Sequence, residues 1–573
     1  MKTSKVLITV MLLASLLLSA CATAGTTTTA ANATQAATTA AVATTGAQAA
    51  ESTTAAAATS AQAAGNATTT AATSAQTTAA VAETPAITAN LTIEVWDRGS
   101  TGSLPVTDNY HTQWIAEHFG AEYPGINLTY VPVPRAQEIE KLNILMASGE
   151  APDICALYDE LTLYSYIAQG GVADITDAVE KYGPNIQKFL EASLPYGVFD
   201  GTLYALTAKR INTAMQGYYI RKDWLDALNL PVPTTTMEFY EACAAFKQQD
   251  PGGLGAEVWP FVINADYSEA LWPINPILDS FTEPMAEEDF YCLPRYLWPG
   301  VKEGFRLVNK MFSEGLINPD FPLDNDKVAL RELISTGKAG SFINNTGFPL
   351  GNSANAMLTV LKENVPGADL IPMDPFVNSE GVTRKQVYPP TGLFAFIPVF
   401  SKNVDAAIIY LDWLHRDDNR FILQNGVEGL HYEMVDGIPQ RLEPPEDDPR
   451  SKSPGVGDLL LLINGQDLGD PELNMRLIVS GQMDPHYREI YQLEYEYATK
   501  NGYVSPRFER PISAEAKYNS VLSNQETKIL VNSIIAAPAD FDATYDSLVN
   551  EYLGMGGQEI IDEKRIAYKE MMD

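Results

Sequence analysis

Positive charge is scarce in this sequence. Its 573 residues include 38 Lys and Arg against 72 Asp and Glu, which gives a formal net charge of −34 at pH 7. A surface this acidic repels phosphate backbones, and no run of Lys or Arg offsets it, so no binding of nucleic acid is expected. With 46% hydrophobic residues in so long a chain, the composition indicates a globular protein with more than one domain or lobe.

Cysteine is also sparse, with four residues in the chain. Cys21 lies near the start, and the other three are Cys155, Cys243 and Cys292. Three is an odd number, and none of them has CxxC spacing, so the pattern leaves room for one disulfide but favours buried free thiols.

Motifs of common catalytic chemistries are missing as well. The five His residues show neither HExxH nor a paired spacing along a helix, so no zinc site is predicted. The sequence contains no GxSxG nucleophile motif and no P-loop. We therefore expect no cofactor and no catalytic residues of these kinds.

Only one hydrophobic run resembles a targeting segment. Residues 6–18 are apolar apart from two polar breaks and follow Lys2 and Lys5, and the run is too short to span a bilayer comfortably. Residues 1–21 are therefore predicted to be a signal peptide. Leu-Ser-Ala directly before Cys21 resembles the lipobox of bacterial lipoproteins, which implies diacylglycerol and palmitate on Cys21 and an anchor on the outer face of the cell membrane. A plain secretory signal is the alternative.

Residues 22–90 have a composition unlike the rest of the chain. They are nearly all Ala, Thr, Ser, Gln, Asn and Gly, contain no aromatic residue, and carry charge only at Glu51 and Glu83. Such a segment cannot bury enough apolar surface to offset its chain entropy. It is predicted to be a disordered linker with a root-mean-square reach on the order of 45 Å.

From residue 91 onward the sequence alternates between strand and helix patterns. Strands are predicted at 91–96, 126–134 and 149–158, with helices at 110–123 and 137–146 between them. This order is typical of a parallel, doubly wound α/β lobe. Ligands of such sheets bind beyond the carboxyl ends of the strands.

Segment 148–154, SGEAPDI, resembles the SGxxPDI motif of family 1 extracellular solute-binding proteins, the capture components of ABC importers for sugars and oligosaccharides. Other segments are similar to the larger branch of that family, which includes the LplA-type lipoproteins, at 170–176, 199–206, 217–251, 411–437 and 549–570. The resemblance implies an α/β fold of two lobes that close like a clamp. Each lobe would have a mixed, mostly parallel sheet flanked by helices, and extra helices would follow at the C-terminus.

The resemblance also implies the function and the partners. A membrane-anchored monomer would capture a sugar or oligosaccharide between its lobes and deliver it to the permease subunits of an ABC transporter, without acting as an enzyme. The solute-binding domain would span 91–573. Lobe 1 is expected at about 91–210 and 392–430, and lobe 2 at about 213–390 and 431–573.

The chain itself offers strands and helices for the second lobe. Strands are predicted near 217–221, 338–345 and 391–400, with a helix at 405–415 after the last of them. Helical patterns then dominate from residue 458 onward. The connections near 207–214 and 385–395 would cross between the lobes at a hinge.

Sugar rings stack on aromatic rings, and their hydroxyl groups need hydrogen-bonding partners, so a sugar site requires both kinds of side chain. On the first lobe such residues follow the first and third strands, at Trp96, Asp97, Tyr158 and Asp159. On the second lobe the candidates are Tyr267, Trp272, Phe348 and Tyr388. Phe348 lies in a segment that resembles the loop where relatives place a stacking aromatic ring. For Trp96 the alternative to a role in ligand binding is that its ring is packed under the loop that follows it.

One stretch departs from the family. Members of this branch often carry a calcium loop, but here residues 250–257 retain only Asp250 and Glu257 as carboxylates. Calcium takes six to eight oxygen ligands, so no bound metal is expected.

Two other functions are alternatives, a secreted carbohydrate-active enzyme and a stalked surface adhesin. A glycosidase needs two carboxylates that face each other across a cleft, and neighbours such as Asp159 and Glu160 point to opposite faces if they lie on a strand. The predicted linker fits an adhesin equally well, but the α/β pattern does not. No motif here encodes the identity of a sugar.

Overall fold

The computed structural model describes residues 87–572 except 100–102, 266–271, 325–326, 352–355, 444, 482–484 and 509. Cys21, Tyr267 and most of the Ala- and Thr-rich segment lie outside the described residues, and the side chain of Trp272 is not described. All described residues belong to one compact unit, Ala82–Asp573. Within the described ranges, no helix is both long and apolar enough to cross a bilayer.

The strands are numbered in chain order. They are β1 Ala89–Asp97, β2 Ile126–Pro134, β3 Cys155–Leu157, β4 Val198–Phe199, β5 Thr202–Leu203, β6 Ala205–Arg210, β7 Gln216–Arg221, β8 Ser341–Asn345, β9 Leu370–Pro372, β10 Lys385–Gln386, β11 Thr391–Phe396, β12 Tyr432–Val435, β13 Ile438–Arg441, β14 Ile463–Asn464 and β15 Gly502–Tyr503.

The α-helices are numbered in the same way. They are α1 Tyr110–Glu122, α2 Glu138–Ser148, α3 Glu160–Ala168, α4 Thr176–Tyr182, α5 Pro184–Phe189, α6 Lys222–Leu228, α7 Thr236–Gln249, α8 Asn275–Ser280, α9 Glu287–Cys292, α10 Val301–Ser313, α11 Val328–Ser335, α12 Met357–Asn364, α13 Val404–Leu414, α14 Asp417–Asn425, α15 Gly457–Leu460, α16 Pro471–Gly481, α17 Arg488–Thr499, α18 Ser513–Ile535, α19 Phe541–Tyr552 and α20 Gln558–Met572.

The first sheet has the strand order β2-β1-β3-β11-β6-β14. β1 runs parallel to β2, with Ile93 opposite Tyr130, and a parallel bridge between Ile93 and Ile154 joins β1 to the chain that enters β3. β11 is antiparallel to both β3 and β6, and β14 is parallel to β6. The carboxyl ends of β1, β2, β3, β6 and β14 therefore meet along one edge.

The second sheet is built around β7, which lies between β8 and β9 and is antiparallel to both. Tyr219 stands opposite Phe342 on one side and Pro372 on the other. Val262 adds a parallel bridge to Phe342. The two sheets are mixed, as predicted, but contain fewer parallel pairs than the sequence pattern indicates, because strands distant in the chain become neighbours.

Each lobe has its own core. The first core gathers residues of the first sheet and of α1, α4, α5 and α13, among them Leu91, Ile115, Leu206, Leu393 and Trp413. The larger second core joins α6 and α7 to α10 and to the C-terminal helices α18, α19 and α20. Packing of these last helices on the second lobe confirms the expected C-terminal addition.

The chain passes between the two sheets at three places. The first two are residues 211–215, between β6 and β7, and 387–390, between β10 and β11, and both overlap the predicted crossings. The third is 465–470, which follows β14. The sequence pattern predicted that everything after 430 belongs to the second lobe, whereas Leu460 to Ile463 lie in the first core.

Candidate ligand-binding site

Two of the predicted aromatic residues meet at the edge of the first sheet. The rings of Trp96, in β1, and Tyr158, just after β3, are stacked with their centroids 5.3 Å apart. Arg135, which follows β2, lies over both rings, with its guanidinium carbon 4.7 Å from the Trp96 centroid and 5.0 Å from that of Tyr158. Three neighbouring strands thus contribute to one aromatic and cationic cluster.

Trp96 forms the inner layer of this cluster. Its side chain is buried, and its Nε1 donates a hydrogen bond to Glu94 Oε1 at 3.1 Å. The other oxygen of Glu94 accepts from the backbone N–H of Ala156 in β3 at 3.0 Å. Burial raises the pKa of Glu94 to about 7. Trp96 therefore supports the edge from below, as in the packed alternative, and Tyr158 is the more accessible ring.

The two predicted aspartates make local hydrogen bonds at this edge. Asp97 is exposed, and its Oδ1 accepts from the backbone N–H of Gly99 at 2.8 Å. Asp159 caps α3, where its Oδ2 accepts from the N–H of Thr162 at 2.9 Å and from its hydroxyl group at 2.5 Å. A ligand would have to share these oxygens with the turn and the helix.

Tyr388 joins the cluster from the second crossing. Its backbone N–H donates to Thr213 O at 3.0 Å, which ties the second crossing to the first. The guanidinium group of Arg210, at the end of β6, lies 4.2 Å from the centre of the Tyr388 ring. Asn464, in β14 beside the third crossing, donates from Nδ2 to the hydroxyl group of Tyr158 at 3.0 Å. All three crossings therefore border this cluster.

The second-lobe candidate Phe348 lies apart from these residues. It begins a short turn after β8, its side chain is 48% exposed, and Arg331 stacks on it at 5.4 Å. The structure stacks Trp96 on Tyr158, links Tyr388 to Tyr158 through Arg210, and places Phe348 on the other lobe.

A buried carboxyl group holds the loop that carries Phe348. Both oxygens of Glu494, in α17, accept from the backbone N–H of Gly347, at 3.0 and 3.1 Å. Gly217 in β7 leaves room for this carboxyl group, because a Cβ there would lie 1.8 Å from Glu494 Oε1. Tyr219 lies beside it, and burial raises the pKa of Glu494 to about 8.

A cavity of about 530 Å³ opens next to the cluster, between the lobes. Asp159 and Glu160 line it from the first lobe, and Gln386 and Arg507 from the second. Its volume falls in the range of small-molecule sites, which are clefts of roughly 300–1,000 Å³. The cluster and this cavity form the candidate ligand-binding site.

In residues 250–257, both carboxylates already have partners within the protein. Asp250 uses Oδ1 and Oδ2 to accept from the backbone N–H groups of Leu254 and Gly255, at 2.8 and 2.7 Å. Glu257 pairs with Lys338 at 3.1 Å. The described residues contain no group of three or more His, Cys, Asp or Glu suited to a metal ion.

The three cysteines that the structure describes are free and buried. Burial raises the pKa of Cys155, Cys243 and Cys292, so each stays a thiol at neutral pH. They therefore act as small core residues.

Several residues of this site escaped the sequence analysis. Arg135, Arg210 and Asn464 follow or end strands of the first sheet, so the rule that selected Trp96 and Tyr158 also covers them. Arg507 lies in a segment without regular structure, and no pattern in the sequence marks it.

Two α/β lobes joined by three crossings, with an aromatic and polar cluster beside the crossings, define the class of two-lobed ligand-binding proteins. Within that class, the family model described as bacterial extracellular solute-binding protein matches residues 104–420. This is more than half of the chain, which therefore belongs to that family.

Curated relatives include two Bacillus subtilis proteins. The chain is 25% identical to lipoprotein LipO over 335 residues, which cover 56% of this chain and 64% of LipO. It is 28% identical to the polygalacturonan/rhamnogalacturonan-binding protein YtcQ over 313 residues, which cover 52% of this chain and 60% of YtcQ. The chain thus spans less than two thirds of the length of either relative.

Solved structures share the fold over a larger part of the chain. The ABC-transporter substrate-binding protein FusA of Streptococcus pneumoniae, in complex with kestose, superposes with a TM-score of 0.60 at 16% identity. The match covers 84% of this chain and 99% of FusA. At this identity the likeness establishes the two-lobed fold.

Proposed function

We propose that this protein captures a sugar or oligosaccharide between its lobes and delivers it to the permease subunits of an ABC importer. The observation that carries the proposal is the cluster of Tyr158, Trp96 and Tyr388 beside all three crossings. Aromatic rings there offer stacking faces, and neighbouring polar groups offer hydrogen bonds, which is the combination that sugars need. The names of YtcQ and FusA, which refer to sugar binding, support the same class of ligand.

The proposal assigns different roles to the predicted residues. Tyr158 and Tyr388 would contact the sugar from the crossings, and Phe348 would stack on it from the second lobe. Asp97 would accept hydrogen bonds from sugar hydroxyl groups with the carboxylate oxygen that does not close the turn to Gly99. Asp159 lines the neighbouring cavity, and Trp96 supports Tyr158.

A thermal-shift screen of neutral and acidic mono- and oligosaccharides tests the proposal. A ligand that binds only the native state raises the melting temperature by mass action, so the true ligand should give a shift that grows with its concentration. Tyr158→Ala should require about tenfold more sugar for the same shift. Failure of every sugar in the screen to move the melting temperature would reject sugar capture.

Cys21 would anchor the protein as a lipoprotein on the outer face of the membrane, and one copy would act alone. Support comes from the lipobox-like sequence before Cys21 and from the relative LipO, which is itself named a lipoprotein. Cell fractionation tests the anchor. Light scattering of the lipid-free chain should give the mass of a monomer, with or without sugar.

The proposed role is binding without chemistry. Two carboxylates that line the cavity already have partners: Asp159 accepts a hydrogen bond as the cap of α3, and Glu160 forms an ion pair with Arg507. A bound oligosaccharide should therefore be recovered intact after long incubation with the protein. Release of shorter sugars, lost when Glu160 is changed to Gln, would identify a carbohydrate-active enzyme.

A further inference from the structure

Four cations around the candidate site each have a carboxylate partner. Arg98 makes two hydrogen bonds to Asp458, at 2.6 and 2.8 Å. The other pairs, each with its shortest distance, are Arg135 with Glu138 at 2.8 Å, Lys209 with Asp467 at 2.9 Å, and Arg507 with Glu160 at 2.5 Å. These pairs leave little net charge for a ligand.

Arg210, which ends β6, has no such partner among the described residues. Its Nε donates to the backbone oxygen of Thr391 at 3.1 Å, and its plane stacks on Tyr388. No carboxylate of the described chain pairs with it, and the charged or ionisable groups that act on it are the phenols of Tyr388 and Tyr158. Burial lowers the pKa of this guanidinium group, but arginine stays charged at any physiological pH. The site therefore contains one partly buried cation without a counter-charge.

The geometry of Arg210 leaves its outer nitrogens for a ligand. Nε is occupied by Thr391 and Tyr388 covers one face, whereas Nη1 and Nη2 have no hydrogen-bond partner among the described residues and form a planar fork. Such a fork matches the two oxygens of a carboxylate, which binds it with two parallel charge-assisted hydrogen bonds. Tyr158, whose hydroxyl group interacts electrostatically with Arg210, would support the ring that carries the carboxylate.

We infer that the ligand is an acidic oligosaccharide and that Arg210 binds the carboxylate of a uronic acid residue. This inference rests on the proposed sugar capture and adds the charge of the sugar. The relatives do not decide the point, since one is named for a polyuronide and another was crystallised with kestose, a neutral sugar. Arg210 decides it, because a neutral sugar would leave this partly buried cation without a counter-charge.

Titration calorimetry with uronate trimers and their methyl esters tests the inference. The trimers are those of galacturonate, mannuronate and guluronate, and esterification removes the charge but keeps the rings. One free acid should bind at least about thirtyfold more tightly than its ester, the loss typical of a broken buried charge pair. Arg210→Gln should weaken the binding of that acid by a similar factor and the binding of the ester by less than about threefold.

Two further variants separate the role of Arg210 from folding. Arg210→Lys keeps the charge but lacks the fork, so it should retain part of the preference for the acid. Arg306→Gln, a matched change on the second lobe at a residue that pairs with Glu303 and Asp542, should leave the preference for the acid unaltered. The melting temperature of each ligand-free variant shows whether it is folded.

The outcomes distinguish this inference from the proposed function. Tight binding of kestose or of an ester, unchanged in Arg210→Gln, would overturn the acidic ligand and keep sugar capture. If neither the acids nor the neutral sugars bind, both are rejected.

Discussion

Arg507 and Glu160 face each other across the two lobes, with Arg507 Nε 2.5 Å from Glu160 Oε1. Glu160 begins α3 on the first lobe, and Arg507 lies between β15 and α18, whose residues pack in the second core. Nη2 of Arg507 also donates to the backbone oxygen of Tyr196 at 2.8 Å. This side chain is therefore a tie between the lobes.

Removal of the tie should loosen the hinge. In Arg507→Gln the ligand-free lobes can separate further, because closure in such proteins is a rotation about the crossings. We expect a larger radius of gyration by small-angle X-ray scattering than for the parent protein, and compaction when sugar is added. Arg510→Gln is the matched control, since Arg510 pairs with Glu563 and Glu570 on its own lobe. Equal scattering of all three proteins would show that the pair does not hold the lobes.

Trp96 and Tyr158 should respond differently to truncation although their rings touch. Trp96→Ala removes a buried indole and should cost about 3–5 kcal/mol of folding free energy, seen as a lower melting temperature. Tyr158→Ala should weaken sugar binding about tenfold with a smaller loss of stability, since this ring is only partly buried. Tyr158→Phe keeps the ring but loses the hydrogen bond from Asn464, so its affinity for the sugar should lie between that of the parent protein and that of Tyr158→Ala. A larger loss of affinity in Trp96→Ala than in Tyr158→Ala, both variants being folded, would reverse the proposed roles.

Glu494 should make stability depend on pH. Its pKa is raised from the ordinary 4.5 to about 8 by burial, so between these values the folded state holds a proton that the unfolded state has lost. Its favourable contribution is complete below about pH 4.5 and is lost as the pH rises toward 8. Glu494→Gln cannot ionise. Denaturant unfolding should therefore show that this variant gains stability relative to the parent between pH 5 and pH 8.5, by on the order of a few kcal/mol. A constant difference across that range would mean that Glu494 is already ionised at low pH.

Cys21→Ala should release the protein from membranes, because the proposed lipid attaches to that thiol. Cell fractionation with immunodetection measures the release, and Cys155→Ala is the control that leaves the anchor intact. If Cys21→Ala sediments with membranes as fully as the parent, residues 1–21 do not act as a lipoprotein signal.

Local patterns predicted several of the longer strands and helices of the described chain. The alternation in 91–96 and the helical spacing in 110–123 correspond to β1 and α1. These features depend on neighbours in sequence, which a pattern can detect.

What escaped prediction depends on contacts between distant parts of the chain. β14 is two residues long, and only its pairing with β6 makes it a strand of the first sheet. The position of Trp96 at a strand end was predictable, but its burial depends on Tyr158 and Arg135, which approach from other strands. Arg507 and Glu160 are 347 residues apart in the sequence, and no local pattern around either residue predicts that they form a pair.

The strand order of the first sheet also determines when that sheet can form. β11 fills the position between β3 and β6, yet it follows the whole of β7 to β10 in the chain. Until it arrives, β3 and β6 lack their shared neighbour and expose unpaired backbone groups. Joining them requires closure of a very long loop, which slows folding. The lobe that begins the described chain is therefore completed late, only after β7 to β10 have become available to fold.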